Sequence, residues 1–156
     1  MKVMVFHIGA DRYALPLWAV ARVLPAAALK SIPLAPDYVA GLLDLHGAPV
    51  PVIDLSALAG VAPEQLWYDS RIILVDYPVA DGGADETTRP LGLLAEHVVG
   101  VETIDSAALA DAGVSGAPFL GQVAADGAGM LQLITLAQLL APDVRAQLFP
   151  ATGEAA

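Results

Sequence analysis

Three histidines, His7, His46 and His97, and two aspartates that bracket one strand-turn-strand stretch, Asp44 and Asp54, are the side chains of this sequence best suited to acid, base or metal chemistry. The histidines stand far apart in sequence, and none has a further ligand at the short spacing of a zinc site, so no metal is expected. Asp44 and Asp54 could meet across a hairpin as a general acid and base, yet nothing around them signals the burial that would drive their pKa values apart. There is no Gly-x-Ser-x-Gly, no phosphate-binding Gly-Lys-Ser/Thr loop and no His-Glu-x-x-His. The absence of cysteine excludes disulfides and thiolate chemistry and permits a reducing compartment. These residues point away from an enzyme, and no cofactor is expected.

Composition narrows the partners. Seven Lys and Arg against seventeen Asp and Glu leave a net charge of −10, which repels a phosphate backbone and an anionic membrane surface alike. At 156 residues the chain is long enough for one core, and its halves would be marginal alone. The N-terminus loosely imitates a secretory signal, but Asp11 and Arg12 interrupt the apolar run, and residues 6–15 read better as a hairpin. Residues 127–142 form the longest uncharged stretch and are too short to span a bilayer, so a soluble, cytoplasmic chain is expected.

The elements that would position these side chains are mostly strands. Residues 4–8, 20–24, 29–34, 39–45 and 50–53 read as extended, with Pro33 and Pro36 confining the third to an edge. His46-Gly47-Ala48-Pro49 has the length of a hairpin connection. Asp54 reads as the N-cap of a short helix closed by Gly60. Further on, residues 71–75, 91–94, 98–104, 119–125 and 130–134 repeat the plan, and Thr135 with Gln138 spells a capping box. Residues 77–90, with Asp81, Asp85 and Glu86, read as a long mobile loop with a solvated acidic face, and Val144 and Leu148 suit a tail helix after Pro142.

The same pattern is written twice. Tyr13-Ala14-Leu15 leading into Val20 and Val23 recurs about 78 residues later as Leu91-Gly92-Leu93 leading into Val98 and Val101. The stretch from Tyr38 through Val50 and Ile53 to Asp54 and Leu58 recurs at about 81, as Phe119, Leu131, Ile134, Thr135 and Leu139. Two blocks in one order and at nearly one offset predict a duplicated β-unit with halves 1–62 and 70–141 and a tail at 142–156. Many short strands with frequent turns favour small barrels, which remove exposed edges.

At residues 41–55, Gly-Leu-Leu-Asp-Leu-His-Gly-Ala-Pro-Val-Pro-Val-Ile-Asp-Leu, the chain resembles the CheW family of chemotaxis coupling proteins. The usual wording there is close to Gly-x-x-Asn-x-Arg-Gly, three variable residues, then Pro-Val-x-Asp-Leu. Tyr13-Ala14-Leu15-Pro16 with Val20 and Val23 looks like the family's opening, residues 33–38 like its pre-motif loop, and residues 91–101 like its second-half hairpin. The resemblance implies a mainly β fold of two intertwined, five-stranded, SH3-like β-barrels around a common core, with short capping helices and strands exchanged between them. It implies a single CheW-like domain over residues 1–156, acting as a non-catalytic adaptor. Its partners would be the regulatory domain of a CheA-type histidine kinase and the cytoplasmic tip of a chemoreceptor, with recruitment to membrane receptor arrays. A small-ligand-binding barrel with an apolar pocket between the halves is the alternative.

The expected partner-binding residues are Val20, Gly41, Leu43, Asp44, His46, Gly47 and Val98. Gly41 and Gly47 would allow positive φ or a close backbone approach. Leu43 and Leu45 share one face of an alternating strand, which leaves Asp44 outside. Val20 and Val23 would line the family's groove. Asp44 stands where the family usually has Asn, and His46 where it has Arg, which exchanges a fixed charge with a fork of donors for a smaller imidazole.

Overall fold

The computed structural model describes residues 1–61, 70–80, 86–113, 116–126 and 129–150. Ten strands dominate it: β1 Lys2–Ile8, β2 Asp11–Pro16, β3 Val20–Pro25, β4 Val39–Leu45, β5 Ala48–Asp54, β6 Arg71–Ala80, β7 Glu86–Ala95, β8 His97–Thr103, β9 Leu120–Asp126 and β10 Gly129–Ile134. Two short helices, α1 Leu55–Leu58 and α2 Pro142–Leu148, follow β5 and β10. No helix among the described residues is long and apolar enough to cross a membrane.

The strands form two five-stranded sheets in the orders β8-β1-β2-β10-β9 and β3-β6-β7-β5-β4. Replacing every strand of the first by the one five places along in the chain gives the order of the second. Registers follow the same rule. The parallel pair Leu133↔Ala14 in one sheet stands where Val52↔Gly92 stands in the other, at the offsets of the sequence repeat. The irregularity between Val20 and Arg22 opposite β6 matches the one between Val98 and Gly100 opposite β1. Pro51 and Pro90 lack the N–H that would carry the β5–β7 ladder back from Val52 and Gly92, so it runs forward to Asp54 and Leu94 instead.

Alternation along the strands sends side chains to different cores. One face of each sheet supplies a shared central cluster that includes Phe6, Leu15, Ile53, Ile73, Tyr77, Leu93 and Ile134. The opposite faces build one smaller cluster each, Val3, Val5, Ala14, Ile104 and Leu131 in the first sheet and Leu43, Val50, Val52, Ile72 and Leu74 in the second. The SH3-like description fits, but the sheets are not closed barrels. The chain beyond β3 returns to β4 through one bridge, Lys30↔Leu42, and the chain beyond β8 returns to β9 through Ala110↔Val123. Only that bridge remains of the strand expected at residues 29–34, because Pro33 and Pro36 carry no donor.

Other expectations shift. The 77–90 loop is largely strand, with Tyr77 opposite Arg89 and Val79 opposite Thr87, because buried Tyr77 and Val79 and two threonines suit a pleated surface better than their polar neighbours suggest. Asp81 and Asp85 lie outside the described residues. The capping box at Thr135 does not form: the Gln138 N–H it would use donates to the Thr135 carbonyl at 3.1 Å, closing a 3₁₀ turn at 136–138. The tail helix packs inward, with Val144 and Phe149 in the central cluster.

Tyr77 ties that tail down. Its ring stacks on Phe149, with centroids 6.1 Å apart, while the Arg89 guanidinium lies 5.6 Å from the other ring's centroid. The fully buried hydroxyl accepts from the Leu140 N–H at 3.1 Å and donates to the Ala137 carbonyl at 3.2 Å. Burial pushes its pKa above the ordinary 10.0. Tyr77→Phe keeps the ring and strands the Leu140 N–H, so urea unfolding is expected to show a loss of about 1–3 kcal/mol.

Candidate protein-binding surface

The β4–β5 hairpin carries most of the residues singled out from sequence. Its turn is tighter than expected, two residues rather than four, with Leu45 opposite Ala48. His46 and Gly47 have φ of 53° and 89°, the left-handed pair of a type I′ turn, which matches the twist of the flanking strands. The Asp44 carboxylate accepts from the Gly47 N–H at 2.7 Å and holds the turn shut. Asp44, His46 and Gly47 are exposed together at this tip.

Gly41 and Leu43 face inward. Leu43 belongs to the second sheet's own cluster. Gly41 has φ of 144°, and a Cβ there would lie 2.5 Å from the Lys30 carbonyl oxygen, which itself accepts from the Leu42 N–H at 2.7 Å. That glycine permits the close approach through which the chain after β3 closes on β4.

Val20 and Val98 occupy matching places on the edge strands β3 and β8, of different sheets, and both pack half-buried on the central cluster. The apolar side chains that β8 turns outward are Val99 and Val101. Trp18 at 83% exposure and Leu34 at 99% are the most exposed of the other apolar residues, and neither was among the expected partner-binding residues. For Leu34 only a partial signal existed: proline at the second position suits a type II turn, whose third residue has positive φ, but suits a type I turn as well.

Beside the hairpin lies a shallow depression of about 330 Å³ bordered by Lys30, Leu42, Leu43, Asp44, Gly47 and Pro49. A second one shares Leu42 and Pro49 and continues past Pro51, Arg89 and Pro90 to Leu148 and Phe149. The first is mainly apolar, both contain proline, and each includes one cation, Lys30 or Arg89. Such a surface suits contact with another protein.

Asp44 pairs opposite Pro49, which puts Asp54 about 16 Å further along β5, so the two carboxylates do not meet. His7 and His97, distant in sequence, are cross-strand neighbours with ring centroids 6.2 Å apart. Among the described residues no three His, Asp or Glu side chains cluster as metal ligands. Asp54 caps α1, accepting from the N–H groups of Ser56 at 3.0 Å and Ala57 at 3.4 Å. Ser56 in turn donates to Glu96 at 2.9 Å. Burial raises the Asp54 pKa above 3.8, the cap hydrogen bonds oppose the rise, and the charge of Glu96 adds to it.

Residues 2–143 match the model of the CheW-like domain. This chain belongs to the CheW-like family. It is 26% identical over 103 residues to the chemotaxis protein CheW of Rhizobium meliloti, a match covering 66% of this chain and 61% of the relative. To the chemotaxis protein CheW of Helicobacter pylori it is 30% identical over 70 residues, 45% of this chain and 42% of the relative. The chain thus spans less than two thirds of these curated relatives. In structure it is similar to the scaffolding protein TtCheW of Thermoanaerobacter tengcongensis, with a TM-score of 0.79 and 26% identity over 92% of this chain and 94% of that one. Of the residues expected at a partner contact in this CheW-like chain, Asp44, His46 and Gly47 are the exposed ones.

Two outcomes follow. Gly41→Ala is expected to destabilise by at least about 2 kcal/mol in urea, because a side chain meets both unsuitable φ and the Lys30 carbonyl; Gly41→Asp is then a folding variant rather than a contact variant. Asp54 favours folding in acid, since its folded pKa lies above the unfolded one. That contribution is complete below about 3.8 and fades as pH rises through the raised value. Denaturation at pH 4 and 7 should show the wild type gaining on Asp54→Asn toward pH 4. An equal difference at both pH values would contradict the raised pKa.

Proposed function

We propose that this chain is a non-catalytic adaptor of a chemotaxis-like system, which holds the regulatory domain of a CheA-type histidine kinase and the cytoplasmic tip of a chemoreceptor at once. The observation that carries this reading is the family match over residues 2–143, joined to the likeness to a scaffolding protein along nearly the whole fold. Halves 1–62 and 70–141 are read as one repeated unit whose strands exchange between sheets, and the matching strand orders support this. The adaptor acts by placement: it fixes the two partners relative to one another so that receptor state alters kinase activity. It works in the cytoplasm, recruited to membrane receptor arrays.

The hairpin tip, Asp44, His46 and Gly47, offers exposed polar contacts on a rigid turn, and Val20 and Val98 on the edge strands complete the proposed partner-binding set with Gly41 and Leu43 beneath. The small-ligand reading has less support, because side chains such as Phe6, Leu15, Tyr77 and Leu93 fill the space between the sheets.

Titration calorimetry against the kinase regulatory domain and a receptor fragment is expected to show both binding, and gel filtration a ternary complex. His46→Arg should strengthen binding to an acidic partner surface by about 0.5–2 kcal/mol. Failure of either partner to bind, or mutually exclusive binding, would refute the adaptor reading. His46→Arg and His46→Ala both within about 0.3 kcal/mol of wild type would remove His46 from the contact.

A further inference from the structure

Among the described residues, His46 and Leu34 are the non-glycine residues with positive φ, at 53° and 66°. Their turns are restrained in different ways. Leu34 follows Pro33 in a turn closed by the Ala35 N–H on the Ile32 carbonyl at 3.4 Å, and its own carbonyl accepts from Gln147 on α2 at 3.4 Å. At His46 the restraint is a side chain of the same hairpin. The ladder ends at the pair Leu45 and Ala48, which leaves the Gly47 N–H outside it. Asp44 Oδ1 accepts from that N–H at 2.7 Å, a length typical of a charge-assisted bond.

This bond decides which way the peptide between His46 and Gly47 faces. Two-residue hairpins use type I′ or type II′ turns, and only in type I′ do both central residues have positive φ, as His46 and Gly47 have. Passing to type II′ flips the central peptide and carries the Gly47 N–H away from Asp44. The C=O and N–H of a trans peptide point in opposite directions, so the grip on Gly47 also fixes the His46 carbonyl and steadies the backbone that carries the imidazole. Pro49 stands opposite Asp44 with its φ set by the ring, which stiffens the returning strand. An asparagine accepts through its amide oxygen as a carboxylate does. Asp44 in place of the usual Asn therefore keeps the grip, whereas His46 in place of Arg changes the group presented.

We propose that Asp44 is a positioning residue of the partner contact: it holds the peptide between His46 and Gly47 in the type I′ orientation from which His46 meets the partner, and does not touch the partner itself. This rests on the adaptor reading and on His46 as a contact. A turn held in one orientation before binding gives up less freedom on binding, and that is the route by which Asp44 affects affinity. Position 44 then needs only a hydrogen-bond acceptor of the right reach, and position 46 carries the specificity.

The experiment is calorimetry of wild type, Asp44→Ala, Asp44→Asn, His46→Ala and the double variant Asp44→Ala/His46→Ala against the kinase regulatory domain and against a receptor fragment, with amide hydrogen exchange at Gly47 followed by NMR. Asp44→Ala should speed Gly47 exchange about tenfold or more, and weaken by about three- to tenfold whichever partner His46→Ala weakens. Asp44→Asn keeps an acceptor and should recover both readouts to within about twofold of wild type. In the His46→Ala background, Asp44→Ala should weaken binding by less than about twofold further, because no side chain is left to position. Equal losses for Asp44→Asn and Asp44→Ala would show that the charge itself meets the partner and overturn the proposal, as would losses that multiply in the double variant. Unchanged Gly47 exchange in Asp44→Ala, or wild-type binding by Asp44→Ala or by His46→Ala, overturns it too. If wild type binds neither partner, the adaptor reading fails and this role with it; if wild type binds both and any of those results appears, only the role of Asp44 falls.

Discussion

The parallel pairings of β2 with β10 and of β7 with β5 join strands from opposite parts of the chain at the middle of each sheet. Everything else hangs on them. Removing either would leave a three-stranded piece and a hairpin, with the central cluster of Phe6, Leu15, Leu93 and Ile134 open to water. The single bridges at Lys30 and Ala110 can afford to be slight, because they close sheets that the parallel pairs already hold in register. Gly41 shows how little room that closure leaves.

Rigidity is spent on turns as well as on sheets. At His46 a type I′ hairpin accepts an imidazole where asparagine is the usual choice, and at Leu34 a proline-led turn accepts a leucine where glycine is. Each departure costs on the order of 1 kcal/mol, a noticeable fraction of a domain's total stability. On the adaptor reading proposed above, tips that do not move suit a protein that works by placement. The buried hydroxyl of Tyr77 extends this logic to the end of the chain, since it fixes the helix that in turn steadies the Leu34 turn.

Much of this was legible in the sequence, and the rest fails for identifiable reasons. Periodicity found the strands, because one-faced burial writes alternation into them, and the offset between Tyr13 and Leu91 matches the structural register. The N-cap at Asp54 was readable since capping is local chemistry. Thr135 misled for the same reason that Asp54 did not: the two sequences offer similar caps, but only the first begins an α-turn. Residues 77–80 and 86–90 were hidden by polar composition, although Val79, Thr87 and Thr88 carry β-branched side chains. The neighbourhood of His7 and His97 could not be seen at all, because the pairing of β1 with β8 depends on topology and not on spacing. Gly41 was noticed for the right property, its backbone freedom, while its neighbour turned out to be the chain's own Lys30.

The crossed connectivity also sets the order in which a nascent chain can find shelter. Arg12 meets His7 at once but its parallel partner Leu131 only when residue 131 has left the ribosome, and Val52, already opposite Gly41, waits likewise for Gly92. Until then β1, β2 and the β4–β5 hairpin carry their valines and leucines without cover, the condition in which growing chains stick to one another. The net charge of −10 gives that early segment no help, because residues 1–54 hold four Lys and Arg against four Asp and Glu, and the surplus of acids arrives only with the rest of the chain. The repulsion that acidity supplies is therefore felt between later, longer chains, and the first hairpins must be sheltered by other means.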